Sequence, residues 1–395
     1  MIKMREPLRV CHFVSGDAWG GLEAMALSLL RAQHADPAYE VSLIALNDGR
    51  LYREAMAEGI TVHLLPEREL NAWQLVRGLR RVLTSLRPQL LHTHRYKENF
   101  LSYLVAPGLG IRPVVTLHGY GPSSFTPAGI KTFVRDSISF RLARRARAQF
   151  VAVSRDLQRL YRPNDDECIT IPNGVAIAAE SPRQREHRAL GRVIGWVGRL
   201  VPIKSVGTLL EALTHMGADR GQPTVLLVGD GPERAALTEQ AKRLGIESRV
   251  QFTGYVEDLS PFLARMDVFA LPSRHEGAPM ALLEAMAAGV PVVAARVGGI
   301  PEMIGESGAA RLVDGHDPVV WARAIEGILV DRVATVEMVR RAQRLVSERF
   351  SIDAMHTRYG ELYRAITTRE PLGGRHSRND AMPVTLSNSE GTYAR

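Results

Sequence analysis

The chain has 395 residues, a formal net charge of +8 and an ordinary globular balance of 45% hydrophobic and 23% charged residues. This length allows two domains of ordinary size, and no run of about 18 apolar residues is present that would indicate a membrane-spanning helix. The five-residue apolar run VCHFV near the N-terminus is too short for a signal peptide, and two cysteines, Cys11 and Cys168, are too few for a disulfide framework, so we expect a reduced, cytoplasmic setting.

The first half of the chain alternates short apolar segments with amphipathic stretches, which is typical of a parallel sheet covered by helices on both faces. The predicted strands are LRVCHFVS, YEVSLIAL, ITVHLLP, QLLHTH, PVVTLH, AQFVAVS and CITIP. Helical patterns such as GLEAMALSLLRAQ and AWQLVRGLRRVLTSL lie between them. We therefore predict a first α/β domain over residues 1–178.

A polar stretch at residues 176–192 resembles a linker, and the strand–helix alternation then restarts. The predicted strands are VIGWVG, TVLLVG, VQFTGY, DVFALPS, VPVVAA and AARLVD, and helical patterns follow at 318–329, 335–348 and 353–367. These patterns predict a second α/β domain over 179–349 and a disordered tail over 371–395, which lacks periodicity. Two such domains in tandem create a cleft at their strand ends, where ligands of these folds usually bind.

Two loops after predicted strands of the first half carry candidate site residues. In SGDAWGGLEAM, the pair Gly20–Gly21 precedes a helix and lets backbone approach a ligand, while Asp17 offers an acceptor for a sugar hydroxyl. His118 ends the strand PVVTLH and is placed to exchange a proton near neutral pH. A tight turn and a structural histidine are the plain alternatives.

Two other patterns bear on metal and phosphate binding. His92 and His94 have a spacing that metal sites sometimes use, but no third ligand is evident, so a structural role is the main alternative. Arg199 and Lys204 follow the first strand of the second half; together they could neutralise a diphosphate without a metal ion, or be two surface bases. Neither a complete G-x-G-x-x-G nor a P-loop is present, which counts against NAD enzymes and P-loop NTPases.

The stretch HEGAPMALLEAMAAGVPVVA (275–294) places two glutamates, Glu276 and Glu284, around a predicted helix start. Pro279 suits the first helical turn, and Gly289 suits a left-handed helix end before a buried strand. Helix N-termini attract anions, so carboxylates on both sides of one need a different ligand. Two vicinal hydroxyls of a sugar are such a ligand, because a carboxylate only accepts hydrogen bonds.

These motifs together resemble the family 4 retaining glycosyltransferases. The resemblance rests on GWVGRLVPIK, VGDGPER, VQFTGYVEDL and the E-x7-E stretch in the second half, and on GDAWGGLEAM, TLHG, VAVS and IPNGV in the first. It covers about residues 8 to 367. It implies a GT-B fold, with two Rossmann-like domains facing across a cleft and a final helix, residues 350–368, that crosses back to the first domain.

The resemblance also implies roles for individual residues. Glu284 would bind the ribose of the donor nucleotide, Glu276 the transferred sugar, and His118 the sugar near the bond that breaks. The implied catalytic residues are His118, Glu276, Arg199 and Lys204. The implied donor-binding residues are Gly21, Arg199, Lys204, Val256, Glu276, Gly277, Ala278 and Glu284, and Asp17 is the candidate for the acceptor.

The function implied is transfer of a sugar from a nucleotide-diphosphate sugar, preferably a UDP-sugar with GDP-mannose as the other option, to a glycan or lipid-linked acceptor. Such transfer belongs to the synthesis of cell-surface polysaccharide or glycolipid and needs no metal ion. A nucleotide-sugar epimerase and a non-catalytic nucleotide-sugar-binding protein are the alternatives. Three positions depart from the common pattern: Gly119 and Ala176 stand where aspartate is common, and Ser205 where glycine is common.

The positive charge is concentrated in the first half, since residues 1–175 carry 23 basic and 16 acidic side chains. The segment 131–147 alone holds six of the bases. Such a surface suits anionic lipid, nucleic acid or a phosphorylated substrate, or it is a solvated helix face. With the family resemblance, no nucleic-acid partner is expected, and peripheral contact with an anionic inner membrane is the hypothesis.

Overall fold

The computed structural model describes residues 6–16, 19–119, 138–161, 168–177, 192–217 and 222–368. Strands and helices alternate through the first half: β1 Leu8–Val14, α1 Gly21–Ala35, β2 Tyr39–Ala45, α2 Arg50–Ala57, β3 Thr61–Leu64, α3 Ala72–Leu86, β4 Leu90–Thr93, α4 Tyr96–Val105, β5 Arg112–Leu117, α5 at residues 138–145, β6 Gln149–Ala152, α6 Arg155–Tyr161 and β7 Cys168–Thr170. The strands form one parallel sheet in the order β3-β2-β1-β4-β5-β6-β7.

The interior strand β1 shows why a buried strand is an almost continuous apolar run in the sequence. Val10 and Val14 pack into the core beneath α1 and α2, while Cys11 and Phe13 pack into the core beneath α3 and α4. Because helices cover both faces of the sheet, neither set of alternating side chains reaches water. Cys11 and Cys168 are both buried, and neither forms a disulfide in the described structure.

The second half repeats the architecture with a smaller sheet. Its elements are β8 Val193–Val197, α7 Gly207–Thr214, β9 Thr224–Val228, α8 Arg234–Arg243, β10 Val250–Gly254, α9 Ser260–Leu263, β11 Val268–Leu271, α10 Met280–Ala287, β12 Val292–Ala295, α11 Ile300–Ile304 and β13 Arg311–Val313. All pairings are parallel, in the order β10-β9-β8-β11-β12-β13. In each sheet the strand order reverses beside the first strand, the point where such folds bind ligands.

Three helices close the described chain: α12 Pro318–Val330, α13 Arg332–Arg349 and α14 Ile352–Thr368. Asp331 ends α12 and caps α13, because its side chain accepts a hydrogen bond from the backbone N–H of Ala334 at 3.0 Å. Helix α14 then crosses to the first sheet, where Met355, Tyr359 and Tyr363 are buried in the same core as α1. The predicted crossing helix is thereby confirmed.

Each strand predicted from the sequence is present, with ends that differ by one or a few residues. Helix α10 differs in one detail from the prediction: it begins at Met280, and Pro279 is its N-cap with an extended ψ of 118° rather than a residue of the first turn. Gly289 has the predicted left-handed conformation, with φ +69°. The tail 371–395, most of the linker 176–192 and most of the loop 119–129 lie outside the described residues, and the domain limits stay a prediction.

Among the residues that the structure describes, no helix combines the length and the apolar character needed to cross a membrane. The predicted basic segment 131–147 is described only from residue 138 onward.

Candidate functional site

The two halves meet where their strands end. The amide of Asn173, after β7, donates to the carbonyl of Ala278 at 3.0 Å. A Cβ on Gly277 would lie 3.1 Å from the carbonyl O of His118, and a Cβ on Gly21 would lie 3.0 Å from Cγ of Met280. The glycine loop before α1, the loop after β5 and the loop before α10 therefore line one site between the domains, as the sequence predicted.

Glu276 is the most firmly held side chain of this site. It is buried, and its Oε1 accepts hydrogen bonds from Lys204 Nζ and from Ser273 Oγ, each at 2.6 Å. Its backbone carbonyl accepts the N–H of Gly299 at 2.9 Å, so the loop after β12 supports it from behind. Within the described chain, Oε2 has no protein partner and is available to a ligand.

The loops after β8 and β11 are joined through their backbones as well. The N–H of Arg274 donates to the carbonyl of Ile203 at 2.8 Å, next to the Lys204–Glu276 ion pair. Ser205 adopts a left-handed conformation with φ +49°, which explains why glycine is common at this position in the family that the sequence resembles. Neighbouring strands β8 and β11 thus bring together two motifs separated by about seventy residues of sequence.

The two predicted phosphate-binding cations, Arg199 and Lys204, differ in whether a protein group pairs with them. Arg199 is exposed, and no other described residue forms a hydrogen bond or an ion pair with its guanidinium. Lys204 is instead paired with Glu276, an arrangement that the sequence did not reveal. One cation is therefore free for an anion, while the other also orients a carboxylate.

Glu284 lies in the second turn of α10, where its side chain is partly buried. Burial raises the pKa of its carboxyl from 4.5 to about 7. Among the described residues, no group donates a hydrogen bond to this carboxylate. Val256, in the loop after β10, is half-buried and packs against the core around strands β8 to β13. A partly buried carboxyl without a donor is destabilised in its ionised form, and ligand hydroxyls would supply the missing bonds.

His118 follows β5 and faces a cluster of further histidines. Its Nε2 lies 3.2 Å from Nδ1 of His94, and burial together with the Arg95 charge lowers the pKa of His118 to about 3. His118 is therefore neutral at physiological pH. The sequence singled out His92 and His94 without a third partner; the structure supplies His12, which pairs in register with His92 on the adjacent strand.

Two buried glutamates lie on the side of the first domain. Glu23 at the start of α1 forms an ion pair with Arg95. Glu98 accepts a hydrogen bond from Ser15, and burial raises the pKa of its carboxyl. The candidate acceptor residue Asp17, between Ser15 and Glu23 in sequence, lies outside the described residues. Sequence reasoning also missed Ser273 and Asn173, which carry no spacing signal of their own.

Two family models match the chain. Residues 19–179 match the model described as Glycosyltransferase Family 4, and residues 191–331 match the model described as Glycosyl transferases group 1. Each match lies on one of the two parallel-sheet halves.

Curated relatives carry glycosyltransferase names. A D-inositol 3-phosphate glycosyltransferase of Corynebacterium efficiens is 32% identical over 243 residues, which are 57% of each chain. The enzyme of that name from Corynebacterium diphtheriae is 36% identical over 45% of each chain, so the alignments span about half the length of these relatives. A lipopolysaccharide core biosynthesis glycosyltransferase, LpsE of Rhizobium meliloti, is 36% identical over 43% of this chain and 49% of its own.

Solved structures share the whole architecture. Anabaena HepE in complex with UDP-glucose superposes with a TM-score of 0.76 at 23% identity, covering 91% of this chain and all of that one. WaaG, a glycosyltransferase involved in lipopolysaccharide biosynthesis, gives 0.64 at 14% identity, with 90% and 99% covered. At such identities the likeness establishes the GT-B fold alone, and the predicted fold class is confirmed.

Proposed function

The chain belongs to the family 4 glycosyltransferases, and from that premise we propose that it transfers a sugar from a nucleotide-diphosphate sugar to a glycan or lipid-linked acceptor, with retention of anomeric configuration. The observation that carries this proposal is the pair of carboxylates around the start of α10. Glu276 is held by Lys204 and Ser273 with one oxygen unused, and Glu284 is partly buried with no donor among the described residues. Both need hydroxyl groups, and a nucleotide sugar presents hydroxyls on either side of its diphosphate.

The donor would lie along this stretch of chain. Glu284 accepts the two ribose hydroxyls, while Oε2 of Glu276 accepts hydroxyls of the transferred sugar. Val256 lines the pocket of the base. The diphosphate between them meets Arg199, Lys204 and the backbone N–H groups of residues 277 and 278, and Gly21 approaches it from the other domain.

The same groups assist the chemistry. Negative charge develops on the diphosphate oxygen as the glycosidic bond breaks, and Arg199, Lys204 and the N-terminus of α10 stabilise it. Positive charge develops on the sugar ring, near the carboxylate of Glu276. His118 donates a hydrogen bond to the sugar as a neutral imidazole. These two cations take the part of a divalent ion, so the proposed reaction needs no metal.

The substrates are proposed at two levels of detail. A UDP-sugar is favoured over GDP-mannose because the similar HepE structures were solved with UDP and UDP-glucose. The names of LpsE and WaaG support an acceptor in cell-surface polysaccharide or glycolipid synthesis.

Peripheral membrane contact is a further part of the proposal, and α3 is the surface that supports it. Its outer face presents Arg77, Arg80 and Arg81 to solvent, and Trp73 is 67% exposed. The helix contains no acidic residue. Basic side chains next to an exposed tryptophan suit an anionic lipid surface, where the ring lies among the headgroups.

The activity is tested by incubating the protein with UDP-glucose and other nucleotide sugars, with and without mixed glycan and lipid-linked acceptors. Transfer predicts that nucleoside diphosphate is released only when an acceptor is present, and that Glu276→Gln abolishes the release. Conversion of the sugar without release would indicate an epimerase. Tight binding with neither outcome would indicate a non-catalytic binding protein.

A further inference from the structure

Behind His118 lie three histidines that the proposed reaction does not use. His12 belongs to β1, His92 to β4, and His94 follows β4. All three are buried, at 0%, 0% and 3% exposure. Their rings lie against one another: the centroids of His92 and His94 are 4.2 Å apart, and those of His94 and His118 are 5.5 Å apart.

The hydrogen bonds around His94 determine where its proton lies. Burial lowers the pKa of His94 well below its ordinary value, so the ring is neutral and has one N–H. Its Nδ1 lies 3.2 Å from Nε2 of His118, while its Nε2 is buried and has no partner in the described chain. A buried N–H without an acceptor is rarer and costlier than an unused lone pair. The proton of His94 therefore lies on Nδ1.

The proton of His118 follows from this assignment. His94 donates its Nδ1–H to Nε2 of His118, so that nitrogen is an acceptor and the single proton of the neutral His118 ring lies on Nδ1. We propose that His94 is a positioning residue, which fixes the tautomer and the ring orientation of His118 so that Nδ1–H is the group offered to the donor sugar. The last clause rests on the proposed function; the tautomer does not.

His94 is in turn held by groups from both ends of the chain. The ring of His92 is tilted by 34° against that of His94. Its Nε2 lies 2.7 Å from the hydroxyl of Thr116, and its Nδ1 lies 2.7 Å from the hydroxyl of Tyr363 on α14. Tyr359, one turn earlier on α14, lies 2.9 Å from the same Thr116 hydroxyl. The crossing helix α14 thus holds His92 in place, and His92 packs against His94, which in turn contacts His118.

Metal binding is the competing use of this cluster. One ring nitrogen from each of His12, His92 and His94 lies within 4.8 Å of the others. However, both nitrogens of His92 already have hydroxyl partners, and Nε2 of His12 is 2.8 Å from the amide oxygen of Gln33. To act as the third metal ligand, His92 would have to give up its hydrogen bond to Thr116 or to Tyr363. The tautomers assigned above to His94 and His118 keep both of these hydrogen bonds.

The tautomer is tested first, without any substrate. Long-range ¹H–¹⁵N spectra of full-length protein labelled at histidine, with His118 assigned through a His118→Asn variant, report which nitrogen carries the proton. The expected result is Nδ1–H for both His94 and His118. An Nε2–H tautomer of His118, or one Zn²⁺ bound per chain by the wild type and lost in His12→Leu, would overturn the assignment.

Positioning is tested with three variants in the transfer assay. His94→Leu removes the donor and is expected to lower kcat about tenfold or more, with the KM for the donor changed less than about twofold. His94→Asn places an amide N–H where Nδ1–H was and is expected to recover most of kcat. His12→Leu is the matched control, because it removes an equally buried histidine that has no contact with His118, and kcat should stay within about twofold.

Equal losses of kcat in His94→Leu and His94→Asn, or an equal loss in His12→Leu, would overturn the positioning role. If His94→Leu does not fold, the comparison of His94→Asn with wild type and the tautomer measurement still decide. If the wild type transfers no sugar while His118 shows the Nδ1–H tautomer, the proposed function fails and the tautomer assignment stands.

Discussion

At the scale of single residues, Glu284 has a property that the sequence does not display. Its pKa is raised to about 7 by burial, whereas an unfolded chain has the ordinary value of 4.5. The family resemblance implies a ribose-binding carboxylate but not its protonation state, because burial depends on helices and loops distant in the chain. Two predictions follow from the shifted pKa.

The first concerns folding stability. Between pH 4.5 and about 7 the carboxyl is ionised in the unfolded chain but still protonated in the folded one. The free energy of unfolding therefore falls as the pH rises through this range, and above about pH 7 the effect of this group is constant. Glu284→Gln should match the wild type at pH 5 and exceed it by about 2 kcal/mol at pH 8. Urea unfolding at both pH values measures this, with the exposed Glu337→Gln as control. An identical difference at the two pH values would contradict it.

The second concerns nucleotide binding. If the ionised carboxylate accepts the ribose hydroxyls, Glu284→Gln should weaken binding of the diphosphate about tenfold at pH 8 and much less at pH 6. The ratio of the dissociation constants of the variant and the wild type is compared at each pH. Titration of the ligand's phosphates affects both proteins equally and cancels in this ratio. Calorimetric titration at the two pH values gives the ratio. A ratio that is constant with pH would show that Glu284 does not bind as a carboxylate.

Lys204 and Arg199 should respond differently to removal, because only Lys204 has a protein partner among the described residues. Lys204→Ala leaves Glu276 buried without its cation and should cost about 2 kcal/mol of stability in addition to activity. Arg199→Ala should leave stability within about 0.5 kcal/mol and weaken donor binding. Thermal unfolding combined with donor titration separates the two effects. Equal destabilisation by both changes would show that the Lys204–Glu276 pair is not structural.

At the scale of elements, α3 is the helix that the membrane proposal depends on. Replacing Arg77, Arg80 and Arg81 by glutamine should reduce sedimentation with vesicles rich in phosphatidylserine, since each base near the surface contributes about 1 kcal/mol. The matched control replaces Arg332, Arg340 and Arg344, three exposed arginines of α13, with the same change of charge. Equal losses in both triple variants, or binding that does not weaken with salt, would exclude α3 as the contact surface.

The sequence predicts the positions of strands and helices better than any other feature of the structure. Buried parallel strands such as β1 read as apolar runs because both their faces are covered, and that signal is local. Helix ends were less certain. Pro279 fits both an N-cap and a first turn, and only the extended ψ of the folded chain distinguishes them.

At the scale of the whole molecule, the site consists of contacts between distant segments. Lys204 and Glu276 lie in the loops that follow two neighbouring strands of one sheet, and His12 meets His92 from the adjacent strand of the other. Family motifs predicted the candidate site residues. They could not predict that Lys204 holds Glu276 or that three histidines lie behind His118, because strand order and register are set by the whole sheet.

The domains themselves are connected by contacts around the cleft. The guanidinium of Arg50 donates to the carbonyl of Glu257 at 3.0 Å, and the carboxylate of Glu302 accepts the N–H of Arg155 at 2.8 Å. With the Asn173–Ala278 bond, these contacts hold the glycine loop and the E-x7-E helix face to face. A donor bound by both domains would therefore add to contacts that already exist.

The central claim is a metal-independent site for a nucleotide-diphosphate sugar, and calorimetry tests it most directly. Purified protein is titrated with UDP, GDP and ADP in the presence of EDTA, beside Glu284→Ala. We predict that one diphosphate, UDP, binds at least about tenfold more tightly than the others and that the variant loses this preference. Absence of binding by all three, with or without added Mg²⁺, would contradict the account.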